Sequence, residues 1–164
     1  MKRIVPLACI VALVAALPLW AGQDSKEQAE AMKAEFAKCM MCKNFLPVYD
    51  QLMPVMQHEV VQLDNGMAIV CTVPDAQKVK LLHEANAKVA ATADACMKLT
   101  DAEATKQLCP MCQDIRTAAK AGAVVSNGKT KTGTLLVLSS ADPKVRAQLA
   151  SLQAKCATMM ASSQ

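Results

Sequence analysis

The 164-residue sequence predicts an α+β protein: two α-β-β-α units sharing one core, with an antiparallel four-stranded sheet covered by helices. Three observations lead there. Cys-x-Met-Cys occurs twice, in "AKCMMCKNF" at 37–45 and "QLCPMCQDI" at 107–115. Each copy is followed by two β-type runs around an Asn-Gly pair, and each pair of runs by a stretch with helical spacing of its apolar residues.

The chain opens with Lys2 and Arg3, then an apolar run from Ile4 to Trp20 that ends at Ala21-Gly22. This is the form of a secretory signal peptide over 1–21. A polar, helix-like segment follows at once, so cleavage near Ala21 is expected, with the mature chain in the periplasm or secreted and no stable membrane span left. Cys9 is not read as a lipidation site, because cutting there leaves "IVALVAALPLW" on the mature end. Without residues 1–21, 16 basic residues face 14 acidic ones, a formal charge of +2. That near-neutrality, the lack of a basic stripe, and only Phe36, Phe45 and Tyr49 as remaining aromatics exclude nucleic acid as a partner. About 143 residues suffice for one shared core, divided into a first repeat at 22–99 and a second at 100–164.

Along the mature chain, Ser25 with Gln28 has the form of a capping box, and Ala29, Met32, Phe36 and Cys39 recur at helical spacing. A helix is expected from Ser25 to Phe45, ended by Pro47, with a short helical piece before Pro54. "EVVQLDNGMAIVCTV" predicts a hairpin whose Asn65-Gly66 supplies positive φ angles to a tight turn. Pro74-Asp75 opens a long Ala-rich helix to about Leu99, with Val79, Leu82, Ala85, Val89 and Cys96 on or near one stripe. The second half repeats the plan: helix in "LCPMCQDIRTAAKAGA", hairpin in "AVVSNGKTKTGTLLVLSS", helix in "ADPKVRAQLASLQAKCATMM". One sheet covered by helices is the natural way to bury both apolar faces of these strands.

Residues also match between the halves. "GMAIVCTVPDAQKV" from Gly66 sits over "GTLLVLSSADPKV" from Gly133, which sets Cys71 over Leu138 and reads Cys71 as a small buried hydrophobe. Cys96 and Cys156 lie near the ends of corresponding helices, offset by about seven residues, close to two turns. The mature cysteines are thus two sets of three plus Cys71.

Three chemistries fit the Cys-x-Met-Cys pairs. Cys39, Cys42, Cys109 and Cys112 can supply two thiolates each from two motifs to one four-sulfur site for a soft metal ion, zinc or Cu(I). Met41 and Met111, at the same place in both motifs, add thioethers, as do Met40, Met53, Met56, Met159 and Met160; these lean the choice toward copper, although methionine is also an ordinary core filler. The alternative is a disulfide-stapled structural or interaction module with no small ligand, its partner a protein, in which Cys39 or Cys42 pairs with Cys96 and Cys109 or Cys112 with Cys156. The third is thiol-disulfide exchange, the only enzymatic possibility. Cys109-Pro110-Met111-Cys112 resembles the Cys-Pro-x-Cys of thioredoxin-like oxidoreductases, but "DAEATKQL", introduced by Thr100-x-x-Glu103, precedes it as a helix where those enzymes have a strand.

Other motifs carry less. Cys39 to Lys43 resembles the Cys-x-x-Cys-Lys haem-attachment motif of pentahaem nitrite reductases, over five residues; the second copy ends in Gln113. Gly128-Lys129-Thr130 lacks the first glycine of a phosphate-binding loop and reads as a hairpin loop. Of the two histidines, His83 falls on a solvated helix face, and His58, at a strand entrance, is a candidate secondary metal ligand. As a whole, Cys39 to about Cys156 resembles small exported bacterial proteins with two Cys-x-x-Cys motifs and "NGM…V…TV" hairpins. That resemblance implies export and duplication, and no substrate.

Overall fold

The computed structural model describes residues 21–161. The expected signal peptide lies outside them except for Ala21, and the side chains of Met159 and Met160 lie outside them too. In chain order the elements are α1 (Ala21–Lys38), a 3-10 helix (Cys42–Val48), α2 (Tyr49–Leu52), β1 (Gln57–Leu63), β2 (Gly66–Thr72), α3 (Ala76–Ala91), α4 (Ala93–Lys98), α5 (Asp101–Gln107), α6 (Pro110–Lys120), β3 (Val124–Lys129), β4 (Gly133–Ser139) and α7 (Pro143–Ala161). The fold is α+β, and its antiparallel sheet has the order β1-β2-β4-β3. No helix among the described residues is long and apolar enough to cross a membrane.

Helix starts follow local chemistry. Asp75 accepts the Lys78 N–H at 2.9 Å, and Thr100 and Glu103 form the expected reciprocal capping box of α5. Three expectations change. The first helix already includes Ala21, the first described residue, so Ser25 lies inside it, and it ends at Lys38 rather than Phe45. There the Met40 N–H turns away to the Gln107 carbonyl, 2.8 Å off, and the chain tightens into the 3-10 segment containing Pro47. The long Ala-rich helix breaks at Thr92, whose Oγ1 donates to the Val89 carbonyl at 2.7 Å and competes with the helical bond. The break lets α4 carry Cys96 in a new direction.

Both hairpins form, but their glycines act differently than expected. Leu63 pairs with Gly66, so Asp64-Asn65 make the turn, and neither has positive φ; among the described residues only Gly122 does, at 102°. Gly66 is needed for approach instead: a Cβ there would meet the Leu138 carbonyl oxygen at 1.9 Å, and one on Gly133 the Cys71 oxygen at 1.8 Å. Gly128 and Lys129 belong to β3, not to a loop. The register repeats at a constant offset of 67: Gln57↔Thr72 in β1–β2 corresponds to Val124↔Ser139 in β3–β4.

The sheet is half covered, not buried on both sides. Paired residues share a face, and Met67, Ile69, Leu136 and Leu138 pack with Val145, Leu149, Leu152 and Cys156 of α7 and with Ala118 of α6. At the other end of the same face Cys71 packs against Leu52, Val73 and Leu82. Ala68, Val70, Leu135 and Val137, on the opposite face, belong to neither core, and Val124 at its edge is 61% exposed. Helices α3 and α7 lie on one side because each fills one end of the same apolar face.

A third core lies off the sheet. Cys39, Cys96, Ala104, Leu108 and Cys112 are buried there, with Met40, Met41, Cys42, Leu99 and Cys109 packed against them. It is poor in large apolar side chains and rich in sulfur.

Candidate metal centre

Each motif reaches this core from a helix end. Cys39 is the first residue past α1 and Cys42 opens the 3-10 helix, so the pair sits on a turn rather than inside a helix. The turn is clamped on both sides by aromatics three residues away: Phe36 and Phe45 lie edge-on at 6.3 Å, and Phe36 also meets Tyr49 at 5.5 Å. The Tyr49 hydroxyl donates back to the Ala29 carbonyl of α1 at 3.2 Å, and Lys33 pairs with Asp50. In the second motif Cys109 is the N-cap residue of α6, Pro110 takes the first helical position and Cys112 the third. The Cys109 sulfur therefore sits beside the free amides and positive dipole end of the helix, bonded by the Cys112 N–H, which favours its thiolate. The Met40–Gln107 bond holds the two turns together.

The result is convergence. The sulfurs of Cys39, Cys42, Cys109 and Cys112 all lie within 4.8 Å of one another, with Cys42 3.7 Å from Cys109 and 3.6 Å from Cys112. A metal with four sulfurs at about 2.3 Å in a tetrahedron holds them about 3.8 Å apart. The cysteine cluster thus has the dimensions of a mononuclear tetrathiolate site and could hold a metal ion. All seven cysteines among the described residues are free thiols.

The electrostatics of the group are those of crowded sulfurs sharing protons. Cys39 is driven far below the thiol range, first by its bond with the Cys109 thiol, then by Cys112 and Cys42. Cys109 is lowered to about 7, chiefly by Cys112. Cys42 and Cys112 are raised, each chiefly by its bond with Cys109. Cys39 and Cys109 are lowered and Cys42 and Cys112 raised because four thiolates in this space would repel one another. A cation removes the repulsion and allows all four to ionise.

The remaining expected sulfurs divide. Met41 packs against the cysteine core, whereas Met111 packs against the sheet core with Ile115. Cys96, 3% exposed, lies in the cysteine core beside the four, and burial raises its pKa most, opposed by the Arg116 charge. Cys156 is fully buried in the sheet core with Leu149 and Leu152, and no bridge joins it to Cys109 or Cys112. His58 and Cys71 lie on the sheet, and the ring of His83 bonds the Gly133 carbonyl at 2.7 Å rather than facing solvent alone.

Arg116 was not expected and is central to the support. One helical turn beyond Cys112 and 5% exposed, it donates from Nε to the Cys96 carbonyl at 3.1 Å, from a terminal nitrogen to the Leu99 carbonyl, and from the other to Asp101 at 2.9 Å. The Leu99 carbonyl is left over at the end of α4, whereas the Cys96 carbonyl also accepts the Leu99 N–H at 3.3 Å. The i, i+4 spacing of Cys112 and Arg116 on an otherwise amphipathic helix is the one sequence signal that marks it.

No known family matches the chain, and no curated protein or solved structure shows a significant match to it.

Proposed function

We propose that this is an exported soft-metal-binding protein that holds one ion, zinc or Cu(I), through Cys39, Cys42, Cys109 and Cys112. The observation that carries the reading is the mutual 4.8 Å span of four sulfurs drawn from motifs 70 positions apart. Four sulfurs leave no open coordination position, so the centre holds an ion rather than activating water. Four thiolates favour zinc; Met40 and Met41 at the edge of the core support Cu(I), which accepts fewer ligands. Export rests on Lys2, Arg3 and the apolar run to Trp20, and places the protein in the periplasm or outside the cell. The constant 67-residue offset of the strand registers supports descent of the two halves from one α-β-β-α unit, each contributing one motif to the centre.

The test is elemental analysis of protein purified from its native compartment, with free thiols counted by mass before and after metal removal. One ion per chain, lost when Cys42 and Cys112 are changed to serine, is the expected result. Protein without metal and with its four motif cysteines in two disulfides overturns the reading in favour of a stapled module.

A further inference from the structure

The four sulfurs of the centre are not equally placed toward an oxidant. Cys39 is 1% and Cys112 9% exposed, whereas Cys42 and Cys109 are half-buried, so each motif holds one enclosed and one accessible cysteine. Cys42 has more sulfur of the other motif beside it than of its own: Cys109 at 3.7 Å and Cys112 at 3.6 Å, against Cys39 alone within its turn. The backbones of the two turns are already joined where the Met40 N–H meets the Gln107 carbonyl at 2.8 Å. A disulfide holds its sulfurs about 2.05 Å apart, so a bridge from Cys42 to either partner closes a gap of about 1.6 Å. That is less than the swing of a cysteine sulfur between two staggered positions.

We propose that Cys42 makes the centre a redox switch: a low-molecular-weight disulfide oxidises the metal-free centre to a single bridge from Cys42 to Cys109 or Cys112, and bridge and ion exclude one another. The proposal rests on the four-sulfur metal reading above and adds its regulation. In the first step an accessible thiolate, Cys42 or Cys109, attacks one sulfur of R–S–S–R; a mixed disulfide forms, the original S–S bond breaks and RS⁻ leaves. In the second, a neighbouring thiolate across the motifs attacks the protein sulfur of the mixed disulfide, closing the bridge and releasing the second RS⁻. Two cysteine thiols are oxidised, one small disulfide is reduced to two thiols, and the two cysteine protons end on those thiols. An ion holds the same sulfurs as ligands, so loading protects them, and the bridge leaves two free sulfurs, too few for a tetrahedral site. The compartment proposed for the chain is oxidising, which is where such a switch operates.

Trypsin makes the test direct, because Cys39 and Cys42 fall on one peptide, Cys39–Lys43, and Cys109 and Cys112 on another, Gln107–Arg116. Reduced, metal-free mature protein is treated with glutathione disulfide and quenched in acid, its remaining thiols are alkylated, and its peptides are weighed. The expected first product joins the two peptides; Cys42→Ser should lower its yield at least tenfold, and Cys39→Ser should keep it. Zinc loading should slow the reaction at least tenfold, and the bridged protein should take up zinc only after reduction. Separate peptides each with an internal bridge, or a first bridge to Cys96, overturn the proposal, as does oxidation at the same rate with and without bound zinc. Reduced protein that takes up no zinc overturns the mutual exclusion together with the metal reading, while the peptide masses, read without metal, still report the bridge, so the two failures are told apart.

Discussion

The Arg116 guanidinium donates to the Cys96 carbonyl 3.1 Å away, and that bond joins the helix carrying Cys112 to the short helix carrying the fifth thiol of the same core. The contact is buried on the arginine side and uses three of its five donors on two backbone carbonyls and one carboxylate. A rigid fork is suited to this; a lysine point charge is not.

Arg116→Met therefore leaves the Leu99 carbonyl without this donor and the Cys96 carbonyl with the Leu99 N–H alone, 3.3 Å away, and should destabilise the fold by about 2 to 4 kcal/mol. Arg116→Lys should recover less than half. Urea unfolding of the metal-loaded protein measures both; equal stability of wild type and Arg116→Met would remove Arg116 from its supporting role.

Metal removal should act on stability because the cysteine core has little else to hold it. Leu99 and Leu108 are the branched aliphatic side chains packed in it among the described residues. With ion present at a thousand times its dissociation constant, linkage gives about 4 kcal/mol. Chelation should lower the melting temperature by several degrees, zinc should restore it, and Cys112→Ser should melt at the chelated value with or without zinc.

The sheet's two buried glycines should be equally intolerant. Alanine at Gly66 or Gly133 drives a Cβ into a backbone oxygen that cannot move without shifting β2 against β4. Each substitution should cost about 3 kcal/mol or more. Gly128→Ala, whose nearest neighbour is the Leu135 side chain at 3.7 Å, should be close to neutral in the same denaturation assay.

Asp101 gives a pH signature. Hydrogen bonds from Lys120 and then Arg116 hold its carboxyl at about 2, below the ordinary 3.8. Folding favours the ionised form, so its contribution is complete above about pH 4 and is lost as pH falls through 2. The gap in urea midpoint between wild type and Asp101→Asn should be constant from pH 7 to 5 and close between pH 4 and 2. A gap unchanged at pH 2 would show that the carboxylate charge is not its source.

Much of this architecture was legible residue by residue. Asp75, Thr100 with Glu103, and Pro110 after Cys109 mark helix starts whose bonds span two or three positions, and the alternating runs on either side of Asp64-Asn65 mark a hairpin of adjacent strands. Misreadings arose where a distant partner changed a local outcome. Gln107 draws the Met40 amide out of the first helix, and the close approach of β4 explains a glycine that the turn itself does not require. Arg116 passes for a solvated helix residue until α4 is folded beneath it.

Sequence alone determined the class of the fold, the two motifs and the donor chemistry they carry, since these follow from residue type and from interactions within one or two turns of chain. Tertiary structure decided which sulfurs meet. Cys96 and Cys156 occupy similar places near their helix ends, yet Thr92 bends one into the cysteine core while the other stays in an unbroken helix over the sheet. The physical reason is range. A helix cap or turn is set by a few neighbouring groups, whereas a four-sulfur site requires two helix ends 70 residues apart to be packed to within a few ångströms, and that depends on every core between them.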